Sequence, residues 1–297
     1  MSRPASVSIV EVGPRDGLQN EGALVSTADK IAFVDRLSAS GLAVIEVSAF
    51  VSPRWIPQMA DAGEVFAGIT RQPGVRYTAL VPNLAGLDRA RAAGVNEVAI
   101  FAASSETFSL KNINQTIEAS LEAYRGVAAR CAELGIRMRA YLSTAFGCPF
   151  EGQVDPARVA EIAAALIDMG AFEVAVSDTI GIAHPGQVPM VINAVAARVP
   201  LDRIALHFHD TRGTALANVL TALDLGVSTF DASAGGLGGC PYAPGATGNL
   251  STEDLVYMLD GLGIRTGVDL STIVDAARFM EPRIGHPLAS RYNQAVR

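Results

Sequence analysis

The chain has 297 residues, 49% hydrophobic and 18% charged, proportions that suit a folded protein with a large buried core. A net charge of -7 gives no basic surface to neutralise a phosphate backbone, which excludes nucleic acid as the expected partner. No apolar run is long enough to span a bilayer, and residues 1–8 lack the charged start and apolar stretch of a signal peptide, so no membrane association and a cytoplasmic location are expected.

Short β-branched and apolar runs recur at intervals too long for hairpins, at residues 7–12, 44–47, 76–81, 97–101, 137–143, 172–177, 204–209 and 229–233. Helical periodicity fills the intervals, clearest over 28–37, 117–134, 156–169, 185–199 and 213–225. Eight strand-then-helix units in roughly 250 residues predict an α/β fold of the TIM (β/α)8 barrel type, since a doubly wound sheet usually needs fewer strands. Residues 253–262 are expected to close the barrel, with additional C-terminal helices at 272–279 and 288–296 packed outside it. No Pro/Ser-rich linker or charge run divides the chain. A single catalytic domain is therefore expected, with its barrel over 7–265 and its helical extension over 266–297.

A barrel of this kind carries its chemistry at the C-terminal ends of its strands. Arg15 and Asp16 follow the first strand, Glu46 lies in the second, Asp178 ends the sixth, and His207 and His209 end the seventh. The two histidines flank Phe208, and the two-residue period of a strand puts both imidazoles on one face. That spacing fits a metal-binding pair and a hydrogen-bonded core pair equally. Closure of the barrel would bring Asp16 and Asn249 beside them. Two oxygens and two nitrogens with room for further oxygens suit Mg or Mn better than a closed tetrahedral Zn site, with Zn left open.

In EVGPRDGLQNE, from Glu11 to Glu21, Gly13 and Pro14 break the strand and present Arg15 beside Asp16. Such a pair can be a surface ion pair of little worth, or a guanidinium held ready for a developing enolate oxygen. Asp178 and Glu46 read either as acids that orient ligands or act as a base, or as buried hydrogen-bonded carboxylates. Residues 233–249, SAGGLGGCPYAPGATGN, form a glycine-rich loop that matches neither a Walker loop nor a dinucleotide fingerprint. Its Cys240, between Gly239 and Pro241, could deliver a proton as a lid closes. Three cysteines at wide spacing indicate no disulfide framework, and Cys131 reads as packing. His184 and His286 read as structural.

These strings resemble the 3-hydroxy-3-methylglutaryl-CoA lyases, in the metal-dependent TIM-barrel group that includes isopropylmalate and homocitrate synthases. The resemblance is carried by EVGPRDGLQNE from Glu11, FVSPRWIPQM from Phe50, KNIN from Lys111, SDTIG from Ser177, HFHDT from His207, GGLGGCPY from Gly235 and TEDLVYMLDGLGI from Thr252. It implies that Asp16, His207, His209 and Asn249 bind a divalent cation, that Arg15 stabilises an enolate, and that Cys240 is an acid. It further implies active-site roles for Glu46 and Asp178, and contacts from Gln19, Lys111 and Asn112 to a CoA thioester substrate. No organic cofactor beyond that CoA is expected, the assembly is expected to be a homodimer, and leucine breakdown is the pathway suggested.

Where the family usually has Tyr, Gln and Ser, this chain has Arg212, Thr214 and Ala49. A changed acyl group is the corresponding expectation, with a citramalyl-CoA-like ester, or one with a longer branch, as the competing substrate. Two further functions compete with cleavage: condensation of acetyl-CoA with a keto acid by a synthase, and CoA binding by a non-catalytic barrel.

Overall fold

The computed structural model describes residues 3–238 and 248–296. Eight strands alternate with helices: β1 (Ser8–Glu11), β2 (Val44–Ala49), β3 (Arg76–Leu80), β4 (Glu97–Ala103), β5 (Arg137–Ser143), β6 (Val174–Asp178), β7 (Ile204–Phe208) and β8 (Thr229–Ala232). Each pairs in parallel with the next, and β1 pairs with β8 from Ser8↔Thr229 to Glu11↔Ala232, so the expected barrel closes. Helices cover the outer face and side chains fill the inner one, which leaves β2, β6 and β7 buried along their whole length. Their near-continuous apolar runs made the strands legible.

The helices are α1 (Thr27–Ser38), α2 (Ala62–Gly68), α3 (Leu84–Ala92), α4 (Glu106–Ile113), α5 (Ile117–Leu134), α6 (Pro156–Asp168), α7 (Val188–Ala196), α8 (Ala215–Asp224), α9 (Thr252–Gly261), α10 (Leu270–Ile284) and α11 (Arg291–Ala295). Local chemistry sets their ends. Thr116 caps α5 by accepting from the Ala119 N–H, and Gly135 closes it in the left-handed conformation. Along α6, Val159, Ile162, Ala163 and Leu166 make one buried face at helical spacing.

Strand ends shift by up to two residues from expectation, and three helices shift more, the last spanning only Arg291–Ala295. Pro185 and Gly186 form a turn, so α7 starts only at Val188, whose N–H donates to His184 O at 3.3 Å. The helix expected at 272–279 runs from Leu270, capped by Asp269, to Ile284, with Pro282 in its last turn, and packs on α1. The sequence singled out no helix between β2 and β4; α2 and α3, of 7 and 9 residues, are too brief for periodicity to register. Among the described residues no helix is long and apolar enough to cross a membrane.

Candidate metal centre and active site

After β1 the chain turns through one π-helical turn, Gly13–Gly17. Val12 O accepts from the N–H groups of Arg15, Asp16 and Gly17 at 3.1, 2.7 and 3.1 Å, and Pro14, with no N–H to satisfy, fits the first turn. Gly13 and Pro14 end the strand as expected, and the π-helical turn they open fixes Arg15 and Asp16 at the mouth. Glu11 anchors it from below. One of its carboxylate oxygens accepts from Gly13 N at 2.8 Å and Ala234 N at 2.9 Å, and the other from the Thr252 hydroxyl at 2.7 Å.

Across the mouth, His207 and His209 point their Nε2 atoms at one another, 3.1 Å apart, and Asp16 Oδ2 lies 3.8 Å from His207 Nε2. One potential ligand atom from each of the three residues lies within 4.8 Å of the others, a group that could hold a metal ion. Two nitrogens on adjacent sites of one ion, each at about 2.1 Å, are separated by about 3 Å, which matches the histidine pair. His209 lies one residue beyond β7, yet its backbone bridges to Asn249. The Asn249 amide donates to Leu237 O at 3.0 Å, so Oδ1 is left buried without a partner. Gly238, at φ 108°, passes so close that a Cβ there would sit 2.7 Å from Asn249 Nδ2. One carboxylate, two imidazoles and an unpartnered amide oxygen fit a divalent cation.

The electrostatics agree. Burial would raise the Asp16 carboxyl, but Arg15, His207 and His209 hold it down at about 2, so it is ionised at neutral pH. Burial, with His207 alongside, lowers the His209 imidazole to about 3, which leaves it neutral and able to ligate.

Behind the cluster lies a frame of buried charge. Arg15 donates through Nε to Glu46 Oε2 at 2.5 Å and through Nη1 to Asp16 Oδ1 at 2.6 Å. The Tyr141 hydroxyl also donates to Glu46 Oε2, at 3.0 Å, and the guanidiniums of Arg15 and Arg139 each sit 5.0 Å from the Tyr141 ring centroid. Burial pushes the Glu46 carboxyl up despite Arg15. Asp178 accepts from Ile182 N and Ala183 N at 2.9 and 3.0 Å, and burial lifts its carboxyl to about 6. Glu253 accepts from Gly235 N and the Ser251 hydroxyl, both at 2.8 Å. The turn leading out of β8 is thus held by two buried carboxylates, Glu11 and Glu253. Sequence reasoning missed Tyr141, Arg139, Asp231, Glu11 and Glu253 as site residues; for Glu11, Arg139 and Asp231 a charge inside an otherwise apolar strand was the available signal.

Asp16, His207, His209 and Asn249 come together as expected, with Arg15, Glu46 and Asp178 around them. Gln19 is half-buried on the turn just after Asp16. Lys111 and Asn112 are exposed on α4, outside the carboxylate and imidazole cluster, and the Lys111 ammonium lies 4.8 Å from the Phe150 ring centroid. Cys240 lies outside the described residues. Cys131 is buried as packing, and His286 pairs with Glu21 at 2.7 Å. The departures take backbone partners: Arg212 donates to Ile180 O and Gly181 O at 2.8 and 2.9 Å, and Thr214 to Ala183 O at 2.8 Å. Both brace the loop whose N–H groups hold Asp178, while Ala49 is fully buried at the end of β2.

Fold and site together define a (β/α)8-barrel protein with a carboxylate and imidazole cluster at its C-terminal mouth. The chain belongs to the HMGL-like family, whose model matches residues 6–280. It is 50% identical over 297 residues to a hydroxymethylglutaryl-CoA lyase of Bacillus subtilis, covering 100% of this chain and 99% of that one. It is 52% identical over 296 residues, again 100% and 99% of the two chains, to a Pseudomonas aeruginosa protein named 3-hydroxy-3-isohexenylglutaryl-CoA/hydroxy-methylglutaryl-CoA lyase. The crystal structure of hydroxymethylglutaryl-CoA lyase from Pseudomonas aeruginosa superimposes with a TM-score of 0.98 at 52% identity, covering 100% of this chain and 99% of that one.

Proposed function

We propose that this protein cleaves 3-hydroxy-3-methylglutaryl-CoA into acetyl-CoA and acetoacetate by a retro-Claisen reaction that depends on a divalent cation. The observation that carries this is the convergence of Asp16, His207 and His209 beside Arg15 at the barrel mouth, in a chain similar along its whole length to lyases of that name. Asp16, His207, His209 and Asn249 would hold Mg or Mn, which would supply Lewis acidity to lower the pKa of the substrate's tertiary hydroxyl.

The residues divide the remaining work. Asp16 and His207 are committed as ligands and Glu46 to Arg15, which leaves Asp178 to take the hydroxyl proton. Its carboxyl, lifted to about 6 by burial, is basic enough for that task near neutral pH. Loss of that proton makes the hydroxyl carbon a ketone as the C2–C3 bond breaks, and the bonding pair becomes the enolate of the acetyl thioester. Arg15, held against Glu46, donates to the enolate oxygen. Cys240 returns a proton to the carbon, giving acetyl-CoA. Gln19, Lys111 and Asn112 contact the substrate and its CoA. The chain acts as one catalytic barrel with its C-terminal helices, assembled as a homodimer.

A second substrate, one with a longer 3-branch, is supported by the Pseudomonas aeruginosa relative, whose name carries both a 3-isohexenylglutaryl and a methylglutaryl ester, and by the small Ala49 at the end of β2. The test is acetyl-CoA release by purified protein from the 3-methyl and 3-isohexenyl esters, after EDTA and then with Mg or Mn. Metal-restored cleavage of the 3-methyl ester is expected. Cleavage of the longer ester alone would reassign the acyl pocket, and cleavage of neither would overturn the lyase reading.

A further inference from the structure

Asp231, on β8, takes no part in the chemistry proposed above, yet it is 1% exposed and carries two partners. Arg139 reaches it across the barrel from β5, with Nη2 to Oδ1 at 2.7 Å and Nη1 to Oδ2 at 3.2 Å. Glu173 holds the Nε of the same guanidinium at 2.7 Å. The second partner of Asp231 is His207, whose Nδ1 lies 3.1 Å from Oδ2.

These contacts fix a proton. A carboxylate gripped by a forked guanidinium stays ionised and accepts hydrogen bonds only. His207 Nδ1 must therefore carry the hydrogen, and in the neutral ring that a metal requires the lone pair is left on Nε2, the atom that faces Asp16 Oδ2 and His209 Nε2. Tyr141 stands edge-on to the same imidazole, with centroids 6.1 Å apart, and limits its rotation. His209 differs, because its Nδ1 is buried without a partner.

We propose that Asp231, gripped by Arg139, is a positioning residue that fixes the tautomer and ring plane of His207 so that Nε2 enters the metal site; the inference rests on the metal reading above. The two imidazoles then contribute unequally. His207 meets the cation preorganised, whereas His209 must adopt its tautomer on binding. Loss of such a carboxylate partner typically weakens metal affinity by about 10–100-fold.

The first measurement is Mn2+ binding to the full chain, followed by electron paramagnetic resonance, for wild type and Asp231→Asn. Asparagine keeps the shape but can donate or accept, so it no longer dictates the tautomer. The expected result is a Kd raised about 10–100-fold, with turnover recovered at saturating Mn2+, a recovery that a merely structural role would not give. A folded Asp231→Asn that binds Mn2+ as tightly as wild type would overturn the proposal. A wild type that binds none would overturn the metal site and this role with it.

Removing the charge also leaves Arg139 with Glu173 alone, which can unfold the barrel. The second measurement therefore uses the unaltered protein, 15N-labelled at its four histidines and loaded with Mg2+. Long-range proton–nitrogen correlation is expected to show His207 protonated at Nδ1 only. A proton on Nε2 would refute the assignment without any mutation.

Discussion

Replacing Glu46 by Gln tests whether the buried Arg15–Glu46 pair serves position more than stability. Two large terms oppose each other. Attraction between unit charges about 4 Å apart is worth about 4 kcal/mol at an effective dielectric of 20, and burying a carboxylate costs several kcal/mol. The upward shift of the Glu46 carboxyl shows which wins: burial outweighs Arg15, so the charge itself adds little stability. Glutamine retains an acceptor for Arg15 Nε and Tyr141, and Asp16, 2.6 Å from Nη1, still neutralises the guanidinium. Stability should therefore change by no more than about 1 kcal/mol, roughly 2–4 °C in Tm for a domain of this size. Turnover should fall further. Losing an oxyanion donor outright costs about 100–1000-fold, and a loosened Arg15 should give up part of that, about 10–100-fold in kcat. Thermal unfolding and steady-state acetyl-CoA release on the same preparation measure both. A Tm drop of more than about 10 °C with unchanged kcat would make the pair a strut and remove Arg15 from the chemistry.

Cys240→Ser should leave metal content and Tm unchanged while lowering turnover by orders of magnitude, as metal analysis beside the acetyl-CoA assay would reveal; undiminished turnover would dismiss Cys240 as the acid. Burial lifts the Glu11 carboxyl to about 7 and that of Glu253, with Glu11 nearby, to about 8, against 4.5 when free. Folding therefore favours their protonated forms, a contribution complete below about pH 4.5 and lost as pH rises through 7 and 8. Tm should fall between about pH 4.5 and pH 8, and less steeply in Glu253→Gln; equal slopes would show that Glu253 does not titrate there.

The barrel was legible because both faces of its strands are buried, which writes each strand as an apolar run, and because helical stretches fill the gaps. The metal cluster was legible for a different reason. His207 lies on β7 and His209 one residue beyond it in the same extended direction, so their spacing alone places them on one face, and closure of the barrel supplies Asp16. The frame behind them was not legible in the same way. Arg139 meets Asp231 from 92 residues away, and Tyr141 meets Glu46 from 95, and no local pattern announces a partner across a closed barrel. The π-helical turn after β1 was hidden because Gly13 and Pro14 read as an ordinary break. Arg212 and Thr214 invited a reading about substrate, but their polar atoms hold backbone carbonyls, a fact that depends on where the loop after β6 passes.

The buried charges make sense only when counted together. Two guanidiniums, Arg15 and Arg139, face four carboxylates, Asp16, Glu46, Glu173 and Asp231. With both imidazoles neutral, as metal ligands must be, the group carries an excess of two negative charges; Asp178 and Arg212, which act on one another, leave that excess unchanged. Paired guanidinium and carboxylate groups in a barrel interior contribute little net stability, because desolvation offsets attraction. An uncompensated pair of negative charges is different, since among the described residues of this group no further positive charge offsets its desolvation. A divalent cation between Asp16, His207 and His209 would bring the sum to zero at the place where the excess is concentrated. The same frame that orients His207 and Arg15 therefore also sets the charge that a bound ion must carry, which favours a divalent over a monovalent cation before any question of ligand geometry arises.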